Sequence, residues 1–179
     1  MIQVKPCGLR VNCFGGFEMT IREWREADLA TLHAINEAAV PGVGSVTRAA
    51  FDTLVREDST ATLVAEVGGK PAGFVLCMYE GLDYSSLNYK WISARYDRFA
   101  YVDRVAVVES ARGQQLGGAL YDAVSHRFAG ERDVLLAEVN LAPPNPGSLR
   151  FHKRHGFREV GERWEIKGEK GVVYLERGL

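Results

Sequence analysis

The apolar positions change period several times along the chain, and each change marks an element. Thr20 to Trp24 is the first convincing strand. From Asp28, an acid suited to a helix N-cap or first turn, Leu29, Leu32, Ile35 and Ala39 recur at helical spacing until Pro41 and Gly42 stop the run. A second short helix follows the PGVGS turn, with Thr47 as its cap and Phe51, Leu54 and Val55 on one face. Two strands, Ala61 to Val67 and Ala72 to Met78, enclose Gly68, Gly69, Lys70 and Pro71, which predicts a hairpin.

Residues 80–99 follow neither period and hold Tyr84, Tyr89, Trp91, Tyr96 and Phe99; aromatics in such a segment line a pocket or seal a core edge. Beyond them Val102, Val105, Val107 and Val108 form a β-branched strand that runs into a glycine-containing loop. A helix over Ala119 to Phe128, closed by Gly130, leads to Val134 to Val139, whose near-continuous apolar run reads as a strand covered on both faces. Strand, loop, helix and strand in that order predict a right-handed βαβ unit with parallel strands. Asn145 to His155 then has a cap at Asn145, a proline suited to its first position and Gly156 at its end. Strands over Phe157 to Ile166 and Val172 to Glu176 meet at the turn Lys167 to Gly171. Residues 1–18 have no sustained period and read as an N-terminal extension to a single domain over 19–179.

Composition narrows the function classes. A chain of 179 residues with 46% hydrophobic and 25% charged residues is an ordinary globular protein, and its order of strands and helices is of α/β type. Its formal net charge of −1 offers no field for nucleic acid, so none is expected as a partner. No apolar run is long enough to span a bilayer and the first residues lack a signal-peptide pattern, so no membrane role and a cytoplasmic location are expected. Cys7, Cys13 and Cys77 have no metal or disulfide spacing.

The loop after the valine-rich strand carries the clearest chemistry. Ser110, Gly113, Gly117 and Gly118 leave little side-chain bulk, and the N–H groups of the following helix start favour an anion. The spacing is neither a P-loop nor a dinucleotide fingerprint. Two carboxylates lie on strands as candidate bases: Glu138 in VLLAEV, where burial would raise its pKa, and Asp103 beside Tyr101. Each has a structural ion pair as its simpler explanation. His152 and His155 have metal-like spacing but no further ligand, so no metal is expected.

The strand VDRVAV followed by ARGQQLGGAL resembles the acyl-CoA-binding segment of the GNAT acetyltransferase superfamily, with Arg112 and Gly117 matching its pattern. NPGSLRFHKRHGF is similar to the superfamily's second signature through Asn145, Ser148, Phe151, Gly156 and Phe157. EVGGKPAGFVL and READLATLHAINEAA resemble its hairpin and first helix, so the likeness runs from Thr20 to about Glu176. It implies a mixed central sheet of six to seven strands flanked by about four helices, with a splayed parallel strand pair that binds acyl-CoA.

The resemblance also implies roles. Acetyl-CoA would be the cosubstrate and a small-molecule or peptide amine the acceptor. Val105, Ala106 and Val107 would hold the pantetheine arm, and Arg112, Gly113, Gln114, Gln115, Leu116, Gly117 and Gly118 the pyrophosphate. Asn145, Ser148 and Phe151 would line the same channel, and one of Arg150, Lys153, Arg154 and Arg158, a cluster with no nearby acid, could meet the 3′-phosphate. Glu138 is preferred to Asp103 as the base. His152 stands where many members have a tyrosine thought to protonate the leaving thiolate; at its ordinary pKa about a quarter of it is protonated at neutral pH, and a plain helix residue is the equal alternative. Tyr84, Tyr89 and Trp91 fall where the family places substrate contacts.

Gln115 replaces a pattern glycine. A positive φ there would strain the loop by about 1–2 kcal/mol, and an already helical Gln115 is the preferred expectation. An acyl-CoA-binding sensor without turnover is the alternative function. Edge strands at the C-terminus leave room for a homodimer.

Overall fold

A computed structural model describes residues 9–12 and 18–179, and among them it shows eight strands and five α-helices. The elements are β1 (Leu9–Asn12), β2 (Glu18–Glu23), α1 (Leu29–Ala38), α2 (Arg48–Arg56), β3 (Thr60–Val67), β4 (Lys70–Tyr79), α3 (Leu87–Ser93), β5 (Phe99–Val107), α4 (Leu116–Phe128), β6 (Val134–Ala142), α5 (Pro146–Arg154), β7 (Arg158–Ile166) and β8 (Lys170–Gly178). The strand order is β1-β2-β3-β4-β5-β6-β8-β7, and the β5–β6 pair is parallel. The mixed sheet and its parallel pair are as the sequence predicts. The additions are β1, which pairs antiparallel with β2 inside the supposed extension, and α3. Among the described residues no helix is long and apolar enough to cross a membrane.

The chain divides into two compact units, one taking the described residues up to Cys77 with Arg104–Arg127, the other Met78–Asp103 with Phe128–Leu179. In the first, Leu29, Leu32 and Ile35 bury one face of α1, and Phe51 of α2 meets Phe74 edge-on at 5.6 Å. Thr47 caps α2 by accepting from the Ala50 N–H at 3.2 Å. The hairpin turns on Gly68 and Gly69 alone, at φ 58° and 75°, a pair of positive values that matches the twist of the flanking strands.

Asp28 does not cap α1 with its side chain. It ends a 3-10 turn over Glu26–Asp28, where its carboxylate accepts Arg22 Nη1 and Nη2 at 2.7 and 2.9 Å and the Arg25 N–H at 2.7 Å. The buried Arg104 of β5 donates to Asn36 Oδ1 at 3.0 Å and to the Gly44 carbonyl at 3.4 Å. Glu37 accepts from Ser45 and the Val46 N–H at 2.7 and 3.0 Å, so side chains pin the PGVGS turn. Those bonds, the Ser45 hydroxyl first, draw the Glu37 carboxyl down to about 2.

The second unit supplies the rest of the sheet. Its parallel ladder runs from Phe99↔Val134 to Val102↔Ala137 and ends before Asp103 and Glu138, although both strands continue. β6 pairs with β8 antiparallel, and β8 with β7. α3 escapes the sequence reading for a physical reason. Its seven residues, LNYKWIS, make two turns and bury only Tyr89 and Ile92, too short a run to set a period, and most of them are middling helix formers. The cations expected to have no nearby acid are not all so: Lys153 of α5 pairs with Glu159 at 2.8 Å, and Arg158, which begins β7, pairs with Glu176.

Candidate active site

Glu138 lies on β6 directly opposite Tyr174 of β8. Its Oε1 accepts from Asn88 Nδ2 of α3 at 3.1 Å, whereas its Oε2 is buried without a hydrogen-bond partner. The Tyr101 hydroxyl of β5, a fully buried side chain, is likewise without a partner at hydrogen-bond geometry. Burial pushes the Glu138 carboxyl up to about 8; the nearby Tyr101 hydroxyl draws it down, the Asp103 charge raises it, and the Asn88 bond draws it down again. Burial first and the charges of Glu138 and Asp103 next hold the Tyr101 phenol well above its usual range. Parts of Glu138 are accessible, but its Oε2 is out of water. The pKa is therefore governed by burial.

Behind Asn88 the network continues. Asn88 Oδ1 accepts from Arg163 Nη2 at 2.8 Å and from the Tyr174 hydroxyl at 3.1 Å, and Arg163 Nε donates to that same hydroxyl at 3.1 Å. Trp91 stacks on Tyr174 with ring centroids 3.8 Å apart and planes 9° from parallel. Arg95 Cζ lies over the Trp91 ring, 4.0 Å from its centroid. Asp103 is half-buried one position past the end of the parallel ladder and acts on Glu138 through its charge.

The aromatic residues of segment 80–99 have different surroundings. Tyr89 is buried, donates its hydroxyl to the Tyr79 carbonyl at 2.6 Å and packs on Phe99 and Tyr101. Trp91 packs on Tyr174, as above. Tyr84 is half-buried with its ring edge toward Tyr89 at 5.9 Å.

The loop between β5 and α4 has its own geometry. Gly113 and Gln115 have φ of 78° and 64°, and α4 starts only at Leu116. Gln115 is thus not helical, which corrects the preferred expectation: it takes the left-handed conformation that the pattern's glycine would adopt without strain. Arg112, Gly113, Gln114 and Gln115 are exposed, Leu116 is buried, and Gly117 and Gly118 are half-buried. On β5, Val105 and Val107 are half-buried and Ala106 buried. Gly73 of β4 allows their close approach, because a Cβ there would stand 2.9 Å from the Ala106 carbonyl.

On α5, Asn145 Oδ1 accepts the Ser148 N–H at 3.1 Å, making Asn145 the predicted cap. Ser148 and Phe151 are half-buried, and Phe151 packs on His155 at 4.2 Å between ring centroids. His152 is only 3% exposed, has Nδ1 2.8 Å from the Ser148 carbonyl and meets the rings of Phe151 and Phe157 edge-on. Burial lowers its pKa, so the ring is neutral at pH 7. Nδ1, facing a carbonyl, carries the proton.

The profile of the Acetyltransferase (GNAT) family matches residues 21–157. The chain belongs to the GNAT acetyltransferase family. Among similar proteins, an uncharacterized N-acetyltransferase of Methanocaldococcus jannaschii is 32% identical over 117 residues, 64% of this chain and 47% of that protein. The phosphinothricin N-acetyltransferase of Streptomyces coelicolor is 37% identical over 79 residues, 42% of this chain and 46% of that protein. The chain thus spans about half the length of these curated relatives.

Solved GNAT structures share the fold. The Escherichia coli ribosomal-protein-S18-alanine N-acetyltransferase superposes with a TM-score of 0.68 at 18% identity, over 89% of this chain and 93% of that one. Arabidopsis thaliana NAA60, solved with a bisubstrate analogue, gives 0.70 at 22% identity over 89% and 97%. The structure places Asn88, Tyr101, Tyr174 and Arg163 around Glu138, a grouping its sequence concealed. Only Tyr101 carried a signal, as Asp103's neighbour on one strand face. The others come from separate elements, and nothing in their local sequence marks them.

Proposed function

We propose that this GNAT acetyltransferase uses acetyl-CoA and transfers its acetyl group to a primary amine by direct attack, with Glu138 as the proton acceptor. The observation that carries the reading is Glu138 itself: a carboxyl raised to about 8 by burial, with one oxygen held and the other without a partner. An amine attacks only when neutral, and a base with a pKa near the working pH relieves it of its proton most effectively.

The loop fits a phosphate-bearing cosubstrate. Positive φ at Gly113 and Gln115 alternates with Gln114 between them, an arrangement that turns backbone N–H groups to a common side. The first turn of the thirteen-residue α4 adds N–H groups without helical partners, and residues 110–118 contain no acid. Acetyl-CoA would supply the activated acyl group, with a thiolate of pKa about 8.5 to leave. The chain's part is to hold it and to move a proton. Arg112 to Gly118 hold the pyrophosphate. Backbone groups of Val105, Ala106 and Val107 carry the pantetheine arm as an added strand and direct an N–H at the thioester oxygen.

Asn145, Ser148 and Phe151 take the channel role their signature implies. His152 acts as a packing residue, because it is buried, neutral and bonded to its own helix. Asp103 tunes Glu138 by charge. Tyr84, half-buried with its ring edge toward Tyr89, is the one proposed to touch the acceptor, while Tyr89 and Trp91 support the site. Glu138 takes the ammonium proton, the neutral amine then attacks the thioester carbon, and as the N–C bond forms and the C–S bond breaks the proton the nitrogen has still to lose goes to the departing thiolate.

The acceptor is an amine of a small molecule or a peptide. Titration of free thiol on incubating the full chain with acetyl-CoA and a panel of amino acids, polyamines, aminoglycosides and peptide N-termini tests the reading, with the product identified by mass. Thiol release matched by acetylated amine supports it. Binding of acetyl-CoA with no turnover on any of them supports the non-catalytic sensor.

A further inference from the structure

The hydrogen bonds around Asn88 leave no freedom in how its amide is oriented. Arg163 is a donor only, so the Asn88 atom that meets Nη2 must be the oxygen. The Tyr174 hydroxyl accepts from Arg163 Nε, which leaves its own hydrogen for that same oxygen. Two donors from β7 and β8 therefore lock Oδ1, and Nδ2, which carries only hydrogens, has to face Glu138 Oε1. A proton cannot sit on Oε1 against this N–H donor. It goes to Oε2.

We propose that Asn88 is a positioning residue that fixes the working oxygen of Glu138: its locked amide donates to Oε1, keeps that oxygen aprotic, and leaves the buried Oε2 as the atom that takes and returns the proton. This rests on reading Glu138 as the base. Around the carboxyl the charged and titratable groups are Tyr101 and Asp103 on β5, Tyr174 on β8, and Arg163 on β7 acting through Asn88 and Tyr174. Asn88 is the side chain that gives Oε1 a donor, and the Glu138 backbone N–H also favours the charged carboxyl.

The test needs no acceptor. The full chain, labelled with carbon-13 at the glutamate side-chain carboxyl carbon, is titrated by NMR, and the resonance missing in Glu138→Gln assigns Glu138. Its midpoint in the native chain should lie at about 8. Asn88→Ala should raise it by about 0.5–1 unit, the loss of one charge-assisted donor. Asn88→Asp keeps an acceptor for Arg163 and Tyr174 but sets a second carboxylate against Oε1, and should raise the higher midpoint of the pair further. If Asn88→Ala does not fold, Arg163→Gln with Tyr174→Phe unlocks the amide while retaining Asn88 and should also raise the midpoint. An unchanged or lowered midpoint in Asn88→Ala and in the double variant overturns the inference. Loss of acetyl transfer in Glu138→Gln with unmoved midpoints would leave Glu138 as the base and remove only Asn88's role. Raised midpoints with transfer untouched by Glu138→Gln would do the reverse.

Discussion

Glu138 and Tyr174 are direct partners in the β6–β8 ladder, and one amide, that of Asn88, is bonded to both. A carboxyl placed there is stable as the acid and costly as the anion. Its folded pKa of about 8 lies above the ordinary carboxylate value, so its contribution to stability is complete below about pH 4 and is lost as the pH rises through 8. Glu138→Gln should therefore be indistinguishable in stability from the native chain at acid pH and more stable by about 2–4 kcal/mol above pH 8, after discounting for partial exposure. Urea unfolding across that range measures it.

Gln115 gives a prediction of opposite flavour, because its left-handed φ of 64° is a local strain with no glycine to absorb it. Gln115→Gly should stabilise the chain by about 1 kcal/mol, and a β-branched replacement such as Gln115→Val should destabilise it by at least that much. Melting temperatures of the two variants check the sign.

In the first unit, Arg22 and Asp28 form a buried bidentate pair whose side chains are 11% and 8% exposed. Burial alone would raise the Asp28 pKa; the Arg22 bonds and the Arg25 N–H outweigh it and hold the carboxyl low. That stabilisation is present at neutral pH and disappears as the pH falls through the lowered value. Asp28→Ala should cost about 3–5 kcal/mol at pH 7, since it leaves a buried guanidinium short of a partner, and the penalty should shrink in acid. Denaturant curves at neutral and acid pH would show both.

Gly161 sets the position of Trp91. A Cβ at Gly161 would stand 2.7 Å from Trp91 Cζ2, so Gly161→Ala should displace the indole from Tyr174 and cost about 1–3 kcal/mol. The tryptophan bands of the near-ultraviolet circular dichroism report the displacement directly.

What could be read in advance divides along the range of the interactions. Thr47 and Asn145 cap helices through residues three positions away, and an N-cap followed by proline is written in the local sequence. Asn88 reaches Glu138 across 50 positions and Arg163 across 75, so nothing near any of the three announces the others. Glu138 was legible because a lone acid in an apolar strand needs an explanation. Gln115 misled for a different reason: glutamine is a good helix former, and the helix starts one residue later than its propensity suggests. His152 shows a further limit, since its place in the signature is visible in sequence while its burial is not.

The most direct measurement is the pH dependence of kcat/KM for acetyl transfer in the native chain and in Glu138→Gln, using the best acceptor from the amine panel, alongside the Kd of acetyl-CoA for each. The native rate should rise through a midpoint of about 8, as Glu138 loses its proton. Glu138→Gln should lower it by about 10²–10⁴-fold and erase that limb while acetyl-CoA still binds. A native-like rate and pH profile in Glu138→Gln would contradict the account.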